Sequence, residues 1–446
     1  MQNNCEVKLK TKIMLLRLIM KNFLSFHNEE TFDMFPNPKR ERFVNHVYLD
    51  TPVPVLKQAA IYGPNASGKS NLIKAFSFLK WFVTDKDFNK KVDFEDYRYH
   101  LSGKEEPFKL TIEFVQEKTY IYTLQVNGTV SEKLWISGLG ESDNHLVFER
   151  NGMNITGPVV ENETSSRALL SKNGRTSVFA LNEEFPILSG EDVKNVYRWF
   201  KDTLTVATLN YQINMLIQML SVDKKLLDFA NDIFVKLNIS DGLEIQEKDF
   251  NSWLSTKNGR RYKQSVESGL IPDKEYQLLS HYRDRRNEFN IVKKDGTQVV
   301  QEFIFRETGI GGYHGGMDID SQSDGTVRLL TLIPLLYHAI EEKKVVVIDE
   351  IDNSLHSELV CALIRYYGSR VSSGQLIFTT HETRLMNQQE LIRVDELWLV
   401  EKKQGNSSLR CLNDYKIHGT INIEHGYQEG RFGGTPNVGI LTDETE

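Results

Sequence analysis

Val55-Leu-Lys-Gln-Ala-Ala-Ile-Tyr62 runs without a break into Gly63-Pro-Asn-Ala-Ser-Gly-Lys-Ser70, and Asn71-Leu-Ile-Lys-Ala-Phe-Ser-Phe-Leu-Lys-Trp-Phe-Val83 follows at once. The first segment reads as a buried strand. The last places Leu72, Ile73, Phe76, Leu79, Lys80 and Val83 at helical spacing. Between them lies Gly63-x4-Gly68-Lys69-Ser70. Glycines at those positions let successive backbone N–H groups curl around a phosphate, and the helix that follows points its positive end inward. In this pattern Lys69 neutralises charge on the β- and γ-phosphates and the Ser70 hydroxyl ligates Mg²⁺. Asn65 and Asn71 complete the expected nucleotide-binding set with Gly63, Gly68, Lys69 and Ser70. Strand, glycine-rich turn and helix in that order give the motif the context it requires, and the expected ligands are ATP and Mg²⁺.

Far downstream, Val345-Val-Val-Ile-Asp349-Glu350 is an apolar strand ending in two adjacent carboxylates. Asp349 is placed to hold the Mg²⁺ shell, and Glu350 to polarise an attacking water, so the pair reads as hydrolysis. The separation of 280 positions from Lys69 to Asp349 excludes a compact GTPase or kinase-like core and implies a large insertion within the nucleotide site. Around this frame, residues 13–26 read as a strand ending at Asn22–Phe26. Residues 108–150 alternate with period two, with turn signals at Asn127-Gly128 and Asn151-Gly152, and are expected to form an antiparallel β meander. In the middle, Asp192–Lys201 and Val222–Leu237 read as helices, and Thr203–Leu209, Tyr276–Tyr282 and Val300–Arg306 as short β pieces. The last third reads as helix Val327–Ile340, strand Lys344–Asp349, helix Leu355–Tyr367, and strands Gln375–Thr380 and Glu396–Glu401. Fully apolar strands between helices imply a buried, largely parallel sheet. The expected domains are 1–160 and 306–446 as two parts of an ATPase head, with 161–305 as an insertion.

That layout resembles ATP-binding-cassette heads of the SMC and RecF type. The fold class it implies is α/β: an ABC/SMC-type P-loop ATPase head with an antiparallel β subdomain and a mixed α/β insertion between the Walker A and signature motifs. Ser323-Asp-Gly325-Thr326, at the start of a helix, resembles the signature of those heads. There Ser323, Gly325 and Thr326 would receive the γ-phosphate of ATP on a second copy. His381 in Thr379-Thr-His-Glu382 matches the switch histidine. Ile19, Phe23, Ser25 and Phe26, with SDGTVRLL (323–330), DEIDNSLH (349–356), QLIFTTHETRLM (375–386), IRVDELWLVEK (392–402) and GYQEGRFGGTP (426–436), are together similar to the bacterial abortive-infection ATPase family. RloA-like proteins and the AriA subunit of PARIS anti-phage systems belong to it. Two residues depart from transporter-type heads: Asp324 replaces the first signature glycine, and His356 stands where a D-loop aspartate is expected. The resemblance implies a dimer or higher even-numbered assembly with composite ATP sites. It also implies a phage-defence role in which the ATPase controls a separately encoded effector such as a nuclease. The alternative is a RecF-like ATPase in DNA repair.

Composition bounds these readings. The chain has 446 residues, 40% of them hydrophobic and 26% charged, which is globular rather than disordered. Its 54 basic and 61 acidic residues give a net charge of −7, unlike a polybasic nucleic-acid coat. Cys5, Cys361 and Cys411 are too few and too scattered for a disulfide scaffold or a zinc ribbon. The apolar run Leu329–Ile340 falls short of the ~20 residues of a membrane span. Arg17 and Lys21 break the N-terminal apolar stretch, against a signal peptide, and the expected location is the cytoplasm. The family likeness begins at Met14, leaving Met1 or Met14 as the start.

Secondary features have competing readings. Lys257, Arg260, Arg261 and Lys263, and Arg283, Arg285 and Arg286, suit a nucleic-acid groove or a solvated surface. Asp318 and Asp320 have the DxD spacing of a Toprim nuclease, but too little chain follows His381 for that domain. His281, His314 and His338 are too dispersed for a metal site. Gly309, Gly311, Gly312, Gly315 and Gly316 form either a flexible lead-in to the signature helix or an ordinary connector.

Overall fold

A computed structural model describes residues 13–101, 106–139, 143–208, 216–267, 289–294, 296–387, 391–417 and 422–435. The chain divides into two compact units. The first is Met1–Asn210 with His338–Asp352 and Leu363–Glu446, and the second is Tyr211–Tyr337 with Asn353–Ala362. In chain order the strands are β1 Met14–Lys21, β2 Glu30–Asp33, β3 Val47–Tyr48, β4 Val55–Leu56, β5 Gln58–Tyr62, β6 Phe108–Gln116, β7 Lys118–Asn127, β8 Thr129–Ile136, β9 His145–Asn151, β10 Asn154–Thr156 and β11 Leu204–Ala207. There follow β12 Gly242–Asp249, β13 Phe289–Lys294, β14 Thr297–Thr308, β15 His314–Asp318, β16 Val345–Ile348, β17 Gln375–Thr379, β18 Leu397–Lys403 and β19 Asn406–Cys411.

Two large sheets build the first unit, beside the short β3–β4 pair. One has the order β11-β16-β17-β5-β18-β19, with parallel pairing throughout except at the β18–β19 hairpin. Every residue of β5, β16 and β17 is buried, which explains why these strands are continuous apolar runs rather than alternating ones. The other sheet is antiparallel, in the order β10-β9-β8-β7-β6-β1-β2. It is the meander expected for 108–150, extended by β1 on β6. Helix α1, Lys69–Thr84, follows β5 and buries Leu72, Ile73, Phe76, Leu79 and Val83. These join Phe32, Leu110, Phe114, Val347 and Ile377 in one core that serves both sheets. A fully buried Arg150–Glu132 pair, at 2.7 Å, ties β9 to β8. Glu132 also accepts from Tyr122, Ser177 and the Val178 amide, so its charge is compensated by hydrogen bonds as well as by the guanidinium.

Several sequence expectations need correction. Val55–Tyr62 is two strands, because β4 pairs with β3 while β5 enters the parallel sheet. Val222–Leu237 is a helix Lys224–Lys236, preceded by a separate Leu216–Val222, because the Asp223 side chain accepts from the Lys225 and Leu226 amides and caps a new start. The α-helix expected over Asp192–Lys201 spans Glu191–Arg198 and then widens into a π-helical turn over Trp199–Thr203. The β piece at Thr203–Leu209 is β11, the edge of the parallel sheet, registered Leu204 to Val345. Residues 161–208 therefore belong with the sheets of the first unit, not with an insertion starting at 161. Cys5, His281, Arg283, Arg285, Arg286 and the Tyr276–Tyr282 piece lie outside the described residues.

The second unit is built on a four-stranded antiparallel sheet, β12-β14-β13 with β15 on the far side of β14. The helix Lys224–Lys236 packs on it through Phe234 against Phe305, with ring centroids 5.6 Å apart. Gly309, Gly311 and Gly312 lie in the hairpin connector between β14 and β15, whereas Gly315 and Gly316 are in β15 itself, paired with Glu307 and Arg306. Asp318 accepts from the Ser321 amide and hydroxyl, and Asp320 pairs with Arg261 at 3.3 Å, so both carboxylates of the DxD are engaged locally. Lys257, Arg260, Arg261 and Lys263 lie on the helix Lys257–Glu267. Among the described residues no helix is long and apolar enough to cross a membrane, and no cluster of metal-ligating side chains stands ready to hold an ion.

Candidate functional site

The loop after β5 depends on two glycines. Gly63 has φ +154°, and an added Cβ would strike Val400 O and sit 2.7 Å from Ser67 Oγ. Gly68 has φ +119°, with an added Cβ 2.5 Å from Ser407 Oγ and 2.9 Å from Ser25 Oγ. The backbone thus turns tightly, and α1 begins directly at Lys69. Lys69 is buried, and its Nζ donates to Gly63 O at 2.7 Å and Pro64 O at 3.3 Å. Burial lowers its pKa below the ordinary lysine value, opposed by the charges of Glu350, Asp349 and Asp352. Ser70 and Asn71 are half-buried on the first turn of α1, and Asn65 is exposed at the loop tip.

The loop is clamped by residues distant in sequence. Asn71 Nδ2 donates to Ser25 Oγ at 2.8 Å, Ser407 Oγ lies 2.8 Å from the same oxygen, and Ser407 Oγ donates to Ser67 O at 2.5 Å. Ser407 N donates to Ser25 O at 2.8 Å. Ser25 stood among the motif residues without a role, and Ser407 carried no signal at all. A cavity of about 250 Å³ opens beside Ser25 and Asn71, with Arg98, Tyr99, His100 and Lys402 in its walls.

Asp349 follows β16, two strands across from β5 with β17 between them. It is 3% exposed, and its amide donates to Ala207 O at 2.8 Å. Thr379 Oγ1 donates to Asp349 Oδ1 at 2.6 Å and accepts from the Glu350 amide at 2.7 Å. Glu350 has φ +49°. His381 is exposed, and its amide donates to Asp352 Oδ2 at 3.0 Å. Thr379 and Asp352 stand within motifs quoted from the sequence, which gave neither of them a role. Parallel strands end at the same edge of a sheet, and this brings Lys69, Asp349, Glu350 and His381 together in the first unit.

Ser323, Gly325 and Thr326 lie in the second unit. Ser323 Oγ accepts from the Thr326 amide at 3.1 Å, so it caps the helix Asp324–Ile340. An added Cβ on Gly325 would come 2.9 Å from Ser354 O. His356 Nδ1 accepts from the Glu358 amide at 3.3 Å at the start of the helix Ser357–Ser369, a capping job that an aspartate would also perform.

A strand–loop–helix turn on a parallel sheet, with paired acids after the strand two places away and an antiparallel sheet alongside, defines a P-loop ATPase head of the ABC/SMC type. The chain belongs to the family described as "AAA domain, putative AbiEii toxin, Type IV TA system", which matches residues 59–387. No curated protein matches it significantly. Among solved structures, the SMC head domain from Thermotoga maritima is 14% identical, covering 89% of this chain and 98% of that one at a TM-score of 0.41. A Pyrococcus furiosus Smc head bound to the C-terminal domain of ScpA is 13% identical over 89% and 96%, with a TM-score of 0.39. The recombination mediator RecF with ATPrS is 12% identical over 90% and 98%, with a TM-score of 0.37. A head of this class implies a nucleotide with Mg²⁺, and the residues here fit that pair. Glycines that admit no Cβ shape the loop, Ser67 Oγ and Asp352 Oδ1 are buried without a hydrogen-bond partner, and the Ser70 hydroxyl and the Asp349 carboxylate are hard oxygen donors.

Proposed function

We propose that this chain is a Mg²⁺-dependent ATPase that closes with a second copy on ATP and regulates a separate effector in anti-phage defence. One observation supports the ATPase reading above others: Lys69 and the Asp349–Glu350 pair, 280 residues apart in sequence, lie after strands β5 and β16 on either side of β17. In this reading the loop amides and Lys69 bind the β- and γ-phosphates, while Asn65 and Asn71 border the triphosphate. The cavity beside Asn71 takes the nucleoside. Ser70 and Asp349 would hold Mg²⁺, which when bound neutralises phosphate charge. Glu350 accepts a proton from a water as its oxygen bonds to the γ-phosphorus, and the bond to the β–γ bridging oxygen breaks to leave ADP and phosphate. His381 contacts the γ-phosphate. Ser323, Gly325 and Thr326 of the second copy meet it from the other side through the amino end of their helix.

Phosphate release by purified protein in MgATP tests the chemistry: turnover by the wild type that Glu350→Gln lacks supports it, and equal turnover by both overturns the role given to Glu350. The defence role is supported by the sequence likeness to abortive-infection ATPases and by the toxin–antitoxin wording of the family description. Glu350→Gln protein purified in MgATP from its own host should carry a stoichiometric second polypeptide, a nuclease in the reading offered here. Unchanged phage plating across a broad panel on deletion would remove the defence role. A repair ATPase is the second reading, favoured by Lys257, Arg260 and Lys263 on one short helix. Its mark would be ATPase stimulation by bare DNA that falls steeply with salt.

A further inference from the structure

Thr379 ends β17, the strand between the phosphate loop and the paired acids, and it is fully buried. Its hydroxyl oxygen lies 2.6 Å from Asp349 Oδ1 and 2.7 Å from the Glu350 backbone nitrogen. An ionised carboxylate can only accept and an amide can only donate, so the direction of both bonds is fixed. The single hydroxyl proton goes to Asp349, and a lone pair receives the Glu350 N–H. The two acids are therefore held by one side chain from a neighbouring strand, in opposite senses. The bond to Asp349 is short and charge-assisted, and it commits Oδ1 and sets the rotation of the carboxyl group. The bond from Glu350 pins a backbone at φ +49°, a region a non-glycine residue seldom occupies without such support. A second tie between the same two loops, from the His381 amide to Asp352 Oδ2 at 3.0 Å, lies two residues further on. Thr380, the next residue in the chain, makes no such link: its hydroxyl accepts from the Glu382 amide at 3.0 Å, within its own loop.

We propose that Thr379 is a positioning residue for the reaction. Its hydroxyl orients the Asp349 carboxylate toward the cation and holds the Glu350 backbone so that its side chain faces the attacking water. This rests on the ATPase reading above, and the experiment separates the two. Thr379→Val keeps the branched shape and removes both hydrogen bonds, Thr379→Ser keeps the hydroxyl, and Thr379→Ala serves if the valine variant does not fold. Three quantities are read on the full chain: turnover, the Mg²⁺ concentration that half-saturates ATP binding, and hydrogen exchange of the 349–352 amides in metal-free protein.

Partners of metal ligands typically carry 10–100-fold of affinity or activity, so Thr379→Val should lose about that much turnover and need roughly 10-fold more Mg²⁺, with Thr379→Ser within about threefold of wild type. Exchange at Glu350 should quicken in the valine and alanine variants and not in the serine one. Unchanged turnover, Mg²⁺ requirement and exchange in Thr379→Val would overturn the proposal, as would a serine variant as impaired as the valine. A wild type that binds MgATP without hydrolysing it sinks the hydrolytic reading alone, because the Mg²⁺ requirement and the exchange still report on Thr379. A wild type that binds no MgATP removes both.

Discussion

In the proposed reaction Lys69 would act in binding and Glu350 in the chemical step, so their variants should separate the two. Lys69 is buried in the loop, where desolvation already disfavours its charge, and Glu350, Asp349 and Asp352 only partly restore it. Placing phosphates against this ammonium is the interaction that rewards keeping it ionised there. Lys69→Ala should therefore abolish ATP binding as followed by equilibrium titration with a fluorescent ATP. Glu350→Gln keeps the shape and loses the proposed base, so binding should stay close to wild type while turnover falls by about 10²–10⁴-fold. Gly63→Ala tests the cradle itself: its Cβ would meet the β18 backbone at φ +154°. We expect a loss of about 2–4 kcal/mol of folding stability in urea titrations. A fall of a few tenths would mean that β18 yields where the structure shows it fixed.

Elements carry their own prediction through Lys80, on the outer turns of α1. Its ammonium donates to Leu204 O and, at 3.3 Å, to Lys201 O, linking the helix to the start of β11. Burial first, and then the nearby Lys344, lower its pKa to about 8. The sign follows from the unfolded value near 10.5. Below pH 8 both states are charged and the fold bears the full desolvation penalty. Between about 8 and 10.5 the folded form has lost its proton and the unfolded form has not, so stability rises with pH. Wild type should thus gain thermal stability from pH 7 to 9.5 relative to Lys80→Met, and parallel curves for the two proteins would show Lys80 ionised throughout. The same region shows where sequence reading stops. The strand–loop–helix of 58–84 and the strand 345–348 were legible because each signal is local: apolar runs, glycines at fixed spacing, a helical stripe. β11 is four residues long, and its partner β16 lies some 140 residues away. The β character of 203–209 was legible, but nothing near Leu204 announces that it joins the parallel sheet as an edge beside β16. The site divides the same way: Gly63, Lys69, Ser70, Asp349 and Glu350 are spelled out by spacing, whereas Ser25, Ser407 and Thr379 act through contacts that only the folded sheet creates.

At the scale of the whole molecule, the question is what Ser323 and Gly325 do for a site formed by Lys69. Within one copy the Ser323 hydroxyl already has a task, capping the helix Asp324–Ile340, and a serine cap alone would explain its presence. A composite site asks more of it: the amino end of that helix must meet phosphate bound to another copy. A net charge of −7 gives no general attraction between copies, and ATP bridging Lys69 of one copy to Ser323 of the other would supply one. Sedimentation of Glu350→Gln in MgATP should show a dimer or a higher even-numbered species that is absent without nucleotide. Lys69→Ala should show no response to ATP. Ser323→Arg should still bind ATP but fail to associate, because a bulky side chain at the start of the helix blocks its approach to a partner's phosphate. If Ser323→Arg assembles as readily as its parent, Ser323 is a helix cap and no more. If Glu350→Gln sediments as a monomer both with and without ATP, the composite site is overturned.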